Sequence, residues 1–175
     1  MRRNRLLIYL FLFMAMVAAY TVYSGSNKDE FPQDQTIRYQ SSMRAAAIDM
    51  IKFIKIEDIQ KEHKMSKDRI ASLAAGSEEL LSNYTELNTI ASAYLGTDHD
   101  SGDVFEYMYL FFHNLSDLDE STVSLRENQV IYIEEIHHFL TEMVQTGLFE
   151  MELKKSLEEI EKLILSHPNL SQWVV

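Results

Sequence analysis

The chain has 175 residues, 16 Lys plus Arg against 27 Asp plus Glu, a formal charge of −11, no cysteine, two prolines and five glycines. The missing cysteine excludes a disulfide scaffold, a thiolate metal site and a cysteine nucleophile. Nearly half of the residues are hydrophobic, which excludes a low-complexity disordered chain, and the acidity argues against a general nucleic-acid binder, since such proteins need cations to displace counterions.

The N-terminus carries Arg2, Arg3 and Arg5 ahead of an apolar run from Leu6 to Tyr23 in which Thr21 is the one residue outside the apolar and aromatic set. Eighteen helical residues span about 27 Å, close to the roughly 30 Å hydrocarbon core of a bilayer. Leu6, Leu10, Phe13, Val17 and Tyr20 mark the anchor along its length, and Tyr9, Tyr20 and Tyr23 lie towards its ends, where aromatic rings favour the interface. The arginines hold the N-terminus in the cytoplasm and place the remainder outside the membrane. The alternative is a signal peptide cleaved near Val22-Tyr23-Ser24, which would release the rest as a secreted protein; its apolar core would ordinarily be shorter, about 7–15 residues. The expected organisation is therefore residues 1–24 as cytoplasmic start plus transmembrane anchor, residues 25–35 as a polar linker containing Pro32, and residues 36–175 as an acidic extracytoplasmic domain.

From Thr36 onward the periodicity is helical, with no strand alternation. A first helix is expected over about 36–61, with Met43, Ala47, Met50, Ile51, Ile54 and Ile59 as its stripe. A second, over about 66–95, shows a heptad rhythm through Ile70, Leu73, Leu80, Tyr84, Leu87, Ala91 and Tyr94, and Gly96 is placed to cap it in the left-handed conformation. Asp103 and Glu106 have capping-box spacing and open a third helix to about Leu115, apolar on most sides and therefore central to the core. A fourth is expected over about 122–146, broken by Gly147, and a fifth over about 148–166, ended by His167-Pro168. The whole reads as all-α: a single N-terminal transmembrane helix followed by an extracytoplasmic bundle of four or five helices.

Charge is unevenly spread. Residues 1–24 carry +3 and residues 25–69 carry +1, while residues 70–153 hold one positive charge, Arg126, against sixteen negative ones; residues 154–175 are neutral. This acidic stretch either selects a basic partner or is a solvated face that keeps the domain off anionic surfaces.

Three constellations bear on chemistry. Asp98, Asp100 and Asp103 cluster in one loop, yet the EF-hand register fails: counting from Asp98, glycine falls at position 5 and Tyr109 at position 12. What is left is a weak divalent-cation loop or a polar turn. Glu134, Glu135, His137 and His138 form two overlapping Glu-x-x-His pairs, the spacing used in di-iron bundles, but no second such helix exists. The alternatives are a metal site, a pH-responsive pair, or structural histidines. Phe105, Tyr109 and Phe112 would line an apolar pocket or interface, or simply fill the core. No P-loop, nucleophile elbow or His-Glu-x-x-His occurs. The expected function is non-catalytic: an interaction module or accessory subunit of an envelope process, with the bilayer and a basic protein surface as partners, no nucleic acid and no resident cofactor. A sensor for a small ligand or divalent cation is the alternative, and a metal-dependent enzyme the third reading.

Overall fold

The computed structural model describes residues 31–99 and 101–171. The chain divides into two units, Met1–Pro32 and Gln33–Val175. The arginine cluster, the apolar run, Asp100 and Trp173 lie outside the described residues. Among the described residues no helix is long and apolar enough to cross a membrane.

The second unit is mostly helical. Its elements are α1 (Gln33–Phe53), α2 (Ile56–Glu62), β1 (Lys64–Ser66), α3 (Lys67–Leu95), α4 (Gly102–Ser116), β2 (Thr122–Ser124), α5 (Glu127–Gln145), a 3-10 turn (Leu148–Glu150), α6 (Leu153–Ser166) and a final 3-10 turn (Pro168–Ser171). Pro32 stands at the entrance of α1, where a missing N–H costs no helical hydrogen bond. The helix accordingly starts three residues before the expected position. It also ends sooner. Ile54 is drawn into the core with no exposure at all, and Lys55 turns the chain, its carbonyl accepting from Asp58 and Ile59 to start α2. The first expected helix is thus two.

α3 is the central element. It packs on α1 along one side and on α4 along the other, while α5 rests on α1 and α6 touches both α3 and α5. α1 and α3 run antiparallel: Arg69 reaches the Phe53 carbonyl with Nε and Nη2 at 3.0 and 2.9 Å, Gly76 faces Met50, and Ser42 donates to Glu79 at 2.7 Å. The two helices come close at Gly76, where an added Cβ would fall 2.6 Å from the Met50 Cγ and 4.0 Å from the Ala46 carbonyl. Arg69 also answers the negative end of the α1 dipole. Gly96 closes α3 at φ 63°, a backbone state that suits glycine because it has no Cβ to clash, and the N–H there reaches the Ala91 carbonyl.

Three local expectations are corrected. β1 and β2 form a two-stranded antiparallel ladder, with Met65 opposite Val123. Both are buried between exposed or half-buried neighbours, but a three-residue strand is too short for alternation to reveal it. Thr122–Leu125 is therefore not helical, and α5 begins at Glu127, where the Arg126 N–H donates to Gln129 Oε1 at 2.9 Å. Asp103 lies within the first turn of α4, behind Ser101 at the N-cap, and Ser101 makes no side-chain cap bond. There its charge still favours the positive end of the helix.

The core follows the expected stripes except at Tyr94, the last heptad position of α3, which is 40% exposed. Ile70, Leu73, Leu80, Tyr84 and Leu87 of α3, Phe105, Met108 and Phe112 of α4, and Ile133, Ile136, Phe139 and Leu140 of α5 are all essentially buried. The Tyr84 and Phe105 rings lie 4.7 Å apart and Phe105 stands 6.1 Å from Phe139, so one aromatic chain links α3, α4 and α5.

Candidate functional site

The aromatic positions resolve first. Phe105 and Phe112 have no exposure and fill the centre of the bundle. Tyr109 is half-buried and stacks on His113 at 5.3 Å. In the α3–α4 loop, Asp98 is exposed and near Asn88 (3.4 Å), and Asp103 is exposed one turn into α4. A shallow cleft of about 370 Å³ beside this loop is lined by Asn88, Thr89, Ser92, Ala93 and Asp98. Among the described residues no three or more His, Asp or Glu side chains converge to hold a metal ion.

Of the residues Glu134, Glu135, His137 and His138 on α5, the two glutamates turn to different neighbours. Glu134 accepts from Gln60 Nε2 of α2 at 2.7 Å, and Glu135 pairs with His167 Nδ1 at 3.0 Å. His137 is half-buried and His138 exposed, with ring centroids 6.1 Å apart. His137 Nδ1 is buried with no hydrogen bond. Burial, and next the neighbouring His138, hold the His137 imidazole below its ordinary value of 6.5.

Two buried histidines that the sequence reading passed over make the main polar links. His99, in the α3–α4 loop, meets Glu161 of α6 through Nδ1 at 2.9 Å, and its backbone is held by Asn88, whose Oδ1 accepts from the His99 N–H while its Nδ2 donates to the His99 carbonyl. His167, just beyond α6, lies between two carboxylates of α5: Glu135 at 3.0 Å from Nδ1 and Glu142 at 3.5 Å from Nε2. Its ring also stands edge-on to Phe139, 5.8 Å between centroids. Sequence carries one faint signal for these: Glu135 and Glu142 are seven apart on one helix, so both face the same neighbour. Their partner lies 25 or more residues away, so only folding reveals it. Beside them the Tyr132 hydroxyl donates to the Leu170 carbonyl at 3.4 Å, and burial, then the charge of Tyr107, raise its phenol well above the ordinary range.

The acidic stretch is a surface. Of the fifteen described carboxylates between residues 70 and 153, thirteen are exposed and two, Glu134 and Glu135, half-buried. Among the described residues one ion pair joins any of them to Lys or Arg, Glu150 with Arg44 at 3.2 Å. Their other partners are hydroxyl, amide or imidazole groups. Among the described residues the stretch is therefore almost without compensation by Lys or Arg. No protein-family model, curated protein or solved structure matches this chain.

Proposed function

We propose that this protein is a non-catalytic interaction module, held at a membrane by its apolar N-terminal segment and displaying a helical bundle outside the membrane to a partner with a basic surface. The observation that carries the reading is the uncompensated acidity of residues 70–153. A stretch meant only for solubility would gain from interspersed cations, which relieve self-repulsion at no cost in hydration. This one holds Arg126 and no lysine, although lysines are frequent in the preceding segment. Concentrated like charge speeds encounter with an opposite surface and rejects acidic competitors. The three arginines and the eighteen-residue apolar run support a tether with the N-terminus inside. Tethering raises the effective concentration towards other membrane-bound partners, so that modest contacts suffice.

The test is crosslinking of the full chain in its native membrane at low and high salt. The expected product is a partner whose contacting segment is rich in Lys and Arg, with a yield that falls as salt rises. A partner with an acidic or uncharged contact, or a yield indifferent to salt, would sink the reading. Extraction by alkaline carbonate separately tests the anchor, since a peripheral or secreted protein would leave the membrane.

A further inference from the structure

The antiparallel pairing of α1 and α3 puts Gln33, where α1 begins, and Leu95, where α3 ends, at one end of the bundle; Phe53 and Arg69 mark the other. The two helices are unequal, with 21 residues in α1 and 29 in α3. Arg69, the third residue of α3, lies beside the last residue of α1, so about six residues of α3, or about 9 Å, run past the α1 start. That overhang is bare. Ser92, Ala93, Tyr94, Leu95 and Gly96 are all exposed, while Ala91 before them is fully buried. It is also without charge: residues 87–97 hold no Asp, Glu, Lys or Arg, in a chain that is 25% charged. No basic residue in the last turn answers the negative end of the helix dipole, although a helix end built for water gains from one.

Ile37, in the second turn of α1 and 52% exposed, stands at the same end. Asp34 and Arg38 near it are exposed and of opposite sign. Single exposed apolar residues are ordinary and say nothing by themselves. What gives this end its meaning is the chain that leads to it. Nine residues separate Tyr23, the last of the apolar run, from Gln33, a reach of about 30 Å when fully extended and less in a flexible chain. With the apolar run in a bilayer, the start of α1 stays within that reach of the lipid surface. Exposed groups at this end therefore meet lipid at a high effective concentration, and a weak contact suffices.

We infer that this end of the bundle, residues 92–95 of α3 with Ile37 of α1, seats in the interface of a zwitterionic bilayer. Ala93 and Leu95 meet the acyl boundary, Tyr94 takes the level that aromatic rings favour, and the cleft of Asn88, Thr89, Ser92 and Asp98 lies among the headgroups. The lipid is neutral because no Lys or Arg follows Arg69 until Arg126, so nothing on the overhang attracts anionic headgroups, and Asp98 beside it repels them. The inference rests on the proposed membrane tether and gives the bundle a second contact with the same membrane.

The probe is a lipid with a nitroxide high on its acyl chain, placed in zwitterionic nanodiscs that hold the full chain, with methyl groups observed by NMR. The Ala93, Leu95 and Ile37 methyl signals are expected to lose most of their intensity, and less of it in anionic discs. The signal of Leu118, 43% exposed, is expected to stay, because its loop adjoins the start of α3, where the Lys67 N–H donates to the Ser121 carbonyl at 3.0 Å. A Leu95→Glu variant, which sets a charge on the overhang, is expected to restore the Ala93 signal while the chain stays in the discs and its melting is unchanged. An Ala93 signal still lost in that variant would mean that the tether alone brings the bundle near lipid, and would overturn the seating. Leu95 as intense as Leu118 in the wild-type chain, or Leu118 weakened in its place, would also overturn it and spare the tether. Failure of the chain to enter the discs would remove both. Leu95 shifts that arise in unlabelled lipid only when a second chain shares the disc would overturn the seating in favour of a contact between copies.

Discussion

The α1–α3 seam and the outer half of the bundle around α5 hold by different means. Along the seam, Gly76 lets two long helices approach until the Met50 side chain and the Ala46 carbonyl lie against bare backbone, and the polar contacts across it are few, Ser42 with Glu79 and Arg69 with the Phe53 carbonyl. Around α5, the inner face is equally apolar, but the C-terminal turn is attached through His167, Glu135 and Glu142 and through the Tyr132 hydroxyl. The difference teaches where each region is sensitive. A seam of small residues fails when volume changes, since close-packed side chains have nowhere to go. A polar clasp fails when one partner is removed, since the other is left buried without a bond.

Deleting core volume should have the largest effect. Leu73→Ala, at a fully buried position of α3, is expected to cost about 2–5 kcal/mol, read as a lower urea midpoint. Next, Gly76→Ala should cost about 1–3 kcal/mol although it adds a single carbon, because the new Cβ meets the Met50 side chain. In a Met50→Ala background the same change should cost much less, and simple additivity in that double-mutant cycle would break the account of the seam. On the other side of the comparison, His167→Ala should cost about 1–3 kcal/mol by leaving Glu135 without its bond. A cost near zero in thermal melts would show that the clasp contributes nothing.

The pH dependence is smaller and has a definite sign. His137 has a folded-state value below its unfolded one. Its contribution to stability is therefore complete above the unfolded value and is lost as pH falls through the folded one, because the unfolded chain then binds more protons. Between about pH 7.5 and 5 a His137→Gln variant should lose less stability than the wild-type chain, measured by urea titration at each pH. The smallest effect is expected from Glu127→Gln, which should leave stability in thermal melts within about 0.5 kcal/mol of wild type. A larger loss would show that the 3.7 Å approach of Glu127 to His63 helps to hold α5 to the turn after α2.

Much of the bundle was legible in advance. The heptad of α3 buries its positions from Ile70 to Ala91 and leaves the last, Tyr94, 40% exposed, while Phe105 and Phe112 of the apolar helix α4 are buried as its composition marks. The left-handed Gly96 and the end of α6 before Pro168 were equally local. What escaped were features with no period: the three-residue ladder of Met65 and Val123, and the break at Ile54. The Glu134 to His138 cluster shows the same limit at the level of chemistry. Its spacing brings carboxylates and imidazoles close along the chain, yet Glu134 turns to Gln60 and Glu135 to His167.

The sequence by itself determined an all-α domain, the identity of its core faces and the concentration of negative charge between residues 70 and 153, because helical periodicity and net charge are properties of neighbours along the chain. Only the tertiary structure decided which carboxylates have partners and that His99 and His167 clasp α6 and α5. Those facts depend on groups brought together from distant segments, and their pairing is set by packing geometry, which no local pattern encodes.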